Sequence, residues 1–235
     1  MTAHFNRNIY QPLFFLLLIS LIPSKLMAQA NQHMTVEDIK GKRIYPIIYN
    51  HYKDIIPAYD QVEGYRRTSL KQMAQYFRTK QANNLPARFL FYTDQDPQLT
   101  QLALAWATVA AHYFKIKQVS FYAASETGGS IDHETIKVLE KMGFIAYKDE
   151  YGRPIYQLHY GYQQAPLKIT SLRPNEKGVP HQDFCTVILD NSSPYLKGAD
   201  RVIHLPYEDR QVENLTLANQ RISTEMFLLF KHLRD

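Results

Sequence analysis

From residue 88 to the end of the chain, short apolar runs alternate with stretches whose apolar residues recur at helical spacing. That alternation limits the possible folds more than any other feature. Arg-Phe-Leu-Phe-Tyr-Thr at 88–93 has the length of a buried strand, and Leu99, Leu102, Trp106, Val109 and Tyr113 then fall on one helical face. Pro97 suits the first turn of that helix, where its missing N–H would have had no intrahelical partner. Residues 117–124 read as a second strand. A helix is expected next, with Asp132 as N-cap and Glu134 in its first turn. Ile136, Leu139 and Met142 form its face, and Gly143 stands just past its end. Residues 154–160 and 166–170 either pair as short strands or line a loop. Residues 184–189 and 201–205 are strands again, and Leu215, Ile222, Met226, Phe230 and Leu233 mark a closing amphipathic helix. Strands alternating with helices predict an α/β fold whose mainly parallel sheet is covered on both faces.

The first 85 residues differ in character. Residues 1–30 have the pattern of a secretory signal peptide: Arg7 near the start, an apolar stretch over 13–22 broken only by Ser20, and small residues ending at Ala28 and Ala30, after either of which cleavage could fall. A stretch of ten residues spans about half of a bilayer core, so a membrane anchor is the weaker reading. The chain is therefore expected to be exported, periplasmic or secreted, and not membrane-spanning once the signal is removed. Residues 31–85 are Tyr- and Lys-rich and broken by Pro46, Pro57 and Gly64. Leu70, Met73 and Phe77 give helical spacing over 66–79, so two or three short helices are expected as an extension, ending at the break of 81–86.

Composition narrows the function. The apolar share of 45% allows a sizeable core. Of 27 basic and 22 acidic side chains, Arg7 and Lys25 fall within the signal segment, which leaves 25 against 22. A surplus of three, evenly spread, argues against a nucleic-acid partner and leaves an unidentified protein or small molecule. The single cysteine, Cys185, excludes an intrachain disulfide and a thiolate metal cluster. It reads as a small buried hydrophobe. The nine histidines form no i, i+4 pair, so neither a metal site nor a cofactor is expected from them.

In an open parallel sheet, chemistry sits where strands end and lead into helices. The first such loop is Thr93-Asp94-Gln95-Asp96-Pro97-Gln98-Leu99-Thr100. Residues 86–235 resemble the low-molecular-weight protein tyrosine phosphatase and arsenate reductase family, in particular bacterial members with a helical N-terminal extension. The likeness is carried by Phe-Leu-Phe-Tyr-Thr at 89–93, the run Thr-Gln-Leu-Ala-Leu-Ala-Trp-Ala-Thr-Val-Ala-Ala-His-Tyr-Phe at 100–114, and Val-Ser-Phe-Tyr at 119–122. Val-Leu-Glu-Lys-Met-Gly-Phe at 138–144, Asp183-Phe184 and Leu-Pro-Tyr-Glu-Asp at 205–209 continue it in the same order. The resemblance implies a three-layer α/β domain with a four-stranded, mainly parallel sheet. It also implies a Cys-x5-Arg loop after the first strand that holds phosphate or arsenate.

The chain departs from that pattern at the positions that matter. Anchored on 100–114, Thr93 stands at the nucleophile position and Leu99 at the arginine position. A Thr hydroxyl without an adjacent base is a poor nucleophile, and Leu offers neither charge nor hydrogen bonds. Asp94 and Asp96 add negative charge: a like-charge pair at about 4 Å costs on the order of 4 kcal/mol at an effective dielectric near 20. Asp190 and Ser193 stand where the relay cysteines of the redox members would be. Asp209 matches the general acid, followed by Arg210 in place of the usual Pro. The expectation is a non-catalytic binding or structural protein, with any ligand contacts made by Thr93, Asp94, Gln95, Asp96, Gln98 and Thr100. Two alternatives remain: residual phosphatase or arsenate reductase-type activity, and an Mg-dependent aspartyl phosphohydrolase using Asp94 and Asp96.

Overall fold

The structure is a computed structural model describing residues 44–148, 156–194, 196–207 and 215–234. The signal segment, residues 31–43 of the extension and Asp209 lie outside the described residues. Four strands form a wholly parallel sheet: β1 (Ala87–Thr93), β2 (Val119–Ser125), β8 (Phe184–Ile188) and β9 (Ala199–His204), in the order β2-β1-β8-β9. The expected α/β class and parallel four-stranded sheet are both present. Between β2 and β8 the chain makes two small antiparallel additions. The strand β3 (Gly129–Ser130) pairs with β7 (Thr170–Ser171), and β4 (Ile145–Lys148), β5 (Tyr156–His159) and β6 (Leu167–Lys168) form a three-stranded sheet. Of the two readings for 154–160 and 166–170, short paired strands hold for their described parts.

The helices are α1 (Pro46–Ile55), α2 (Gly64–Ala82), α3 (Pro97–Tyr113), α4 (His133–Lys141) and α5 (Leu215–Arg234), with a 3-10 turn at Ile56–Gln61. Pro46 and Pro97 each open a helix in its first turn. Asp132 caps α4, its carboxylate accepting the Thr135 N–H at 2.7 Å. Gly143 follows α4 at φ +100°, and a Cβ there would lie 2.6 Å from Ile47 Cβ, so both backbone and packing require glycine.

Alternation along β1 divides the interior. Phe89 and Phe91 face the main core, which gathers α1, α2, α3, α4 and α5. Leu70, Met73 and Phe77 of α2 are buried there, each worth about 1.5–3 kcal/mol by area removed from water. Ile48, Tyr52 and Ile55 of α1 join them, with the Tyr52 ring 4.5 Å from that of Tyr113 and 4.8 Å from that of Phe227. The described helices of the extension thus share one core with the sheet. Leu90 and Tyr92 face the other way and meet Val179, Phe184, Leu172 and Leu196. That second face is covered by irregular chain rather than helix. Pro174, Gly178 and Pro180 supply the reason, since each interrupts helical backbone.

Candidate functional site

The loop from β1 to α3 lies at the carboxyl edge of the sheet, as expected of a site in this class of fold. Its own side chains close it. Thr93 is fully buried, and its hydroxyl donates to the Asp96 carbonyl at 2.8 Å. Asp96 is the N-cap of α3, its carboxylate accepting the Gln98 N–H at 2.9 Å. The Gln98 side-chain amide in turn donates to Asp132, tying the cap of α3 to the cap of α4. Thr100 donates to the Pro97 carbonyl at 2.8 Å and lies 3.0 Å from the Ser171 hydroxyl, which continues to Ser125 at 3.1 Å. Leu99, at the position implied for an arginine, is 5% exposed and belongs to the main core.

Asp190, just past β8, completes the closure. It is 3% exposed, and its carboxylate accepts the Asp94 N–H at 2.5 Å, the Ser192 N–H at 3.0 Å and the Ser192 hydroxyl. A carboxylate is an acceptor-only group that suits a nest of N–H donors. Two N–H groups of this loop, those of Asp94 and Gln98, are therefore already engaged by carboxylates of the chain itself.

Electrostatics follow from that crowding. Burial raises the Asp96 carboxyl above the ordinary carboxylate range, and nearby Asp132 and Asp190 add to the rise against the opposing Gln98 N–H. Burial also acts on Asp132, yet hydrogen bonds from Gln98 and Thr135 outweigh it and hold that carboxyl below the usual range. Burial and the Glu126 carboxylate, which accepts the Tyr92 hydroxyl at 2.8 Å, keep the Tyr92 phenol protonated well beyond neutral pH. Cys185 sits fully buried in β8, where burial pushes its thiol up to about 12. It is a packed hydrophobe rather than a nucleophile.

Thr93, Asp96, Gln98 and Thr100 are thus drawn together by hydrogen bonding, whereas Asp94 and Gln95 have exposed side chains. Asp94 and Asp96 are put to different uses, one facing solvent and one capping a helix. Among the described residues no group of three or more His, Cys, Asp or Glu is placed to hold a metal ion. No described helix is long and apolar enough to cross a membrane.

A second polar cluster has no counterpart in the sequence reading. Arg66 of α2 and Glu225 of α5, each 1% exposed, form a bidentate ion pair, with Arg66 Nη2 at 2.9 Å from Glu225 Oε2. Arg66 also donates to the Pro206 carbonyl, the Tyr207 hydroxyl donates to Glu225, and the guanidinium lies 4.5 Å from the Tyr207 ring centre. The only sequence signal was a lone Glu inside the apolar run of α5.

No protein-family model matches the chain, and no curated protein matches it.

Proposed function

We propose that this chain is an exported, catalytically inactive relative of the low-molecular-weight tyrosine phosphatases and arsenate reductases, retained as a binding protein. The observation that carries the reading is the closure of the β1–α3 loop. Asp190 takes the Asp94 N–H and Asp96 takes the Gln98 N–H, in the place where such a family would seat an oxyanion. The parallel order β2-β1-β8-β9, with the loop after β1 and Asp190 after the neighbouring strand, agrees with the motif order that the resemblance rests on. Thr93 spends its hydroxyl on a backbone carbonyl, and Leu99 is part of the core. Internal carboxylates occupy donors that an external anion would need, and their charge repels it.

Hydrolysis of p-nitrophenyl phosphate tests this, with and without Mg²⁺. No turnover above background is expected in either condition. Thiol-free turnover that requires Mg²⁺ and disappears in Asp94→Asn would replace the proposal with the aspartyl mechanism. Turnover indifferent to Mg²⁺ would replace it with residual phosphatase chemistry.

A further inference from the structure

The second face of the sheet holds a cavity of about 790 Å³. Leu90, Val179 and Phe184 lie buried beneath it, and Leu196 is partly exposed in its wall. Its charged groups are sorted by the direction of the strands. Asp94 follows the last residue of β1 and Glu126 the last residue of β2, and the register Thr93 to Ser125 sets the two side by side at the carboxyl edge. His181 lies three residues before β8 and Lys197 two residues before β9, at the amino edge. These two entry segments touch: a Cβ on Gly198 would meet the His181 carbonyl at 2.0 Å.

Register gives the separation. Phe184 pairs with Ala199, and Phe89 with Cys185, so the amino edge is level with Arg88, six residues before Asp94. At about 3.3 Å per residue that is roughly 20 Å. Asp94 and Lys197 are both exposed, and neither forms an ion pair among the described residues. Among the described residues Glu126 accepts the Tyr92 hydroxyl through one oxygen, which leaves its second oxygen available.

We infer that this cavity binds a short, extended peptide with free ends, its ammonium terminus at Asp94 and Glu126 and its carboxylate toward Lys197 and His181. Charge complementarity at the two ends of the trough selects this occupant. A simple anion meets two carboxylates, and a simple amine leaves the basic end unused. The distance suits a peptide of about six residues in strand-like extension. The inference does not rest on descent from a phosphatase, because the groove lies on the face away from α3 and uses side chains that the closed loop leaves free.

Calorimetry with an alanine-rich hexapeptide tests it on the full chain. The expected result is saturable one-to-one binding below about 1 mM. Acetylating the amino end or amidating the carboxyl end should each weaken binding at least about three-fold, the scale of one partly exposed charge contact. The variant Asp94→Asn with Glu126→Gln should bind free and acetylated peptide alike while still preferring a free carboxylate. Lys197→Met should show the converse. All three positions are exposed, and the capped peptides test the intact protein should a variant fail to fold. No saturable binding, indifference to both caps, or an alkylamine binding as tightly as the peptide would each overturn the inference. None of these results bears on p-nitrophenyl phosphate turnover, so the two proposals fail separately.

Discussion

Replacing Glu225 by Ala should be among the most damaging single changes in the described fold. The carboxylate receives two hydrogen bonds from Arg66 and one from Tyr207, all buried between α2, α5 and the segment after β9. Its removal leaves the Arg66 guanidinium, 1% exposed, with the Pro206 carbonyl and, at 3.4 Å, the Tyr65 hydroxyl as its remaining acceptors. A buried charge stripped of its partner typically costs about 3–5 kcal/mol, a large part of the 5–15 kcal/mol that holds a domain folded. At an m-value of about 2 kcal/mol/M in urea, that is a fall of about 2 M in the unfolding midpoint. The double variant Arg66→Met with Glu225→Leu keeps the volume and removes both charges. It should recover most of the loss, because the penalty belongs to the unpaired charge rather than to the missing attraction. Equilibrium unfolding of the wild type, both single variants and the double would measure the coupling. A Glu225→Ala loss under about 1 kcal/mol, or a double variant as unstable as the worse single, would refute the reasoning.

Two further substitutions probe the helix caps and one the turn after α4. Asp132 titrates below the ordinary carboxylate range, so its contribution is complete at neutral pH and is lost as acid protonates it. Asp132→Asn should lower thermal stability at pH 7 and converge with wild type in acid. Asp96 is shifted the other way: the folded state holds its proton more tightly, and stability falls as pH rises from the unfolded to the folded value. Asp96→Asn keeps the cap and should therefore stabilise the protein at pH 7, the gain vanishing below about pH 4; a loss at pH 7 would contradict this. Gly143→Ala meets both a positive φ and Ile47, and should cost about 2 kcal/mol or more in thermal unfolding.

The layout of strands and helices was legible because it is written in local periodicity. The faces of α3 and α4, the Asp132 cap and the Pro97 start all depend on residues within one turn of each other, and all are present. Boundaries moved by a residue or two, as at β2 and β9, where ladder pairing rather than residue type decides the ends. What sequence could not carry were partnerships across the chain. Asp190 meets the Asp94 N–H over 96 residues, and Arg66 meets Glu225 over 159. The spacing of Leu70, Met73 and Phe77 marks a helix over 66–79 but says nothing of Arg66, which α2 turns inward because α5 offers it a carboxylate. The two carboxylates of the loop were legible as charges but not as different tools. Only the fold makes Asp96 a cap and leaves Asp94 exposed at the mouth of the groove. The irregular layer over Leu90 and Tyr92 follows from its Pro and Gly residues, which the alternation of strands and helices further along did not take into account.

The central claim is that the chain's own carboxylates have taken the place of an oxyanion, and tungstate binding tests it most directly. Titration of the intact protein with tungstate at neutral pH, followed by a soaked crystal, should give no saturable heat and no ion at the N-terminus of α3. One tungstate per chain seated between Thr93 and Thr100, with the Asp190 carboxylate displaced from the Asp94 N–H, would contradict the account.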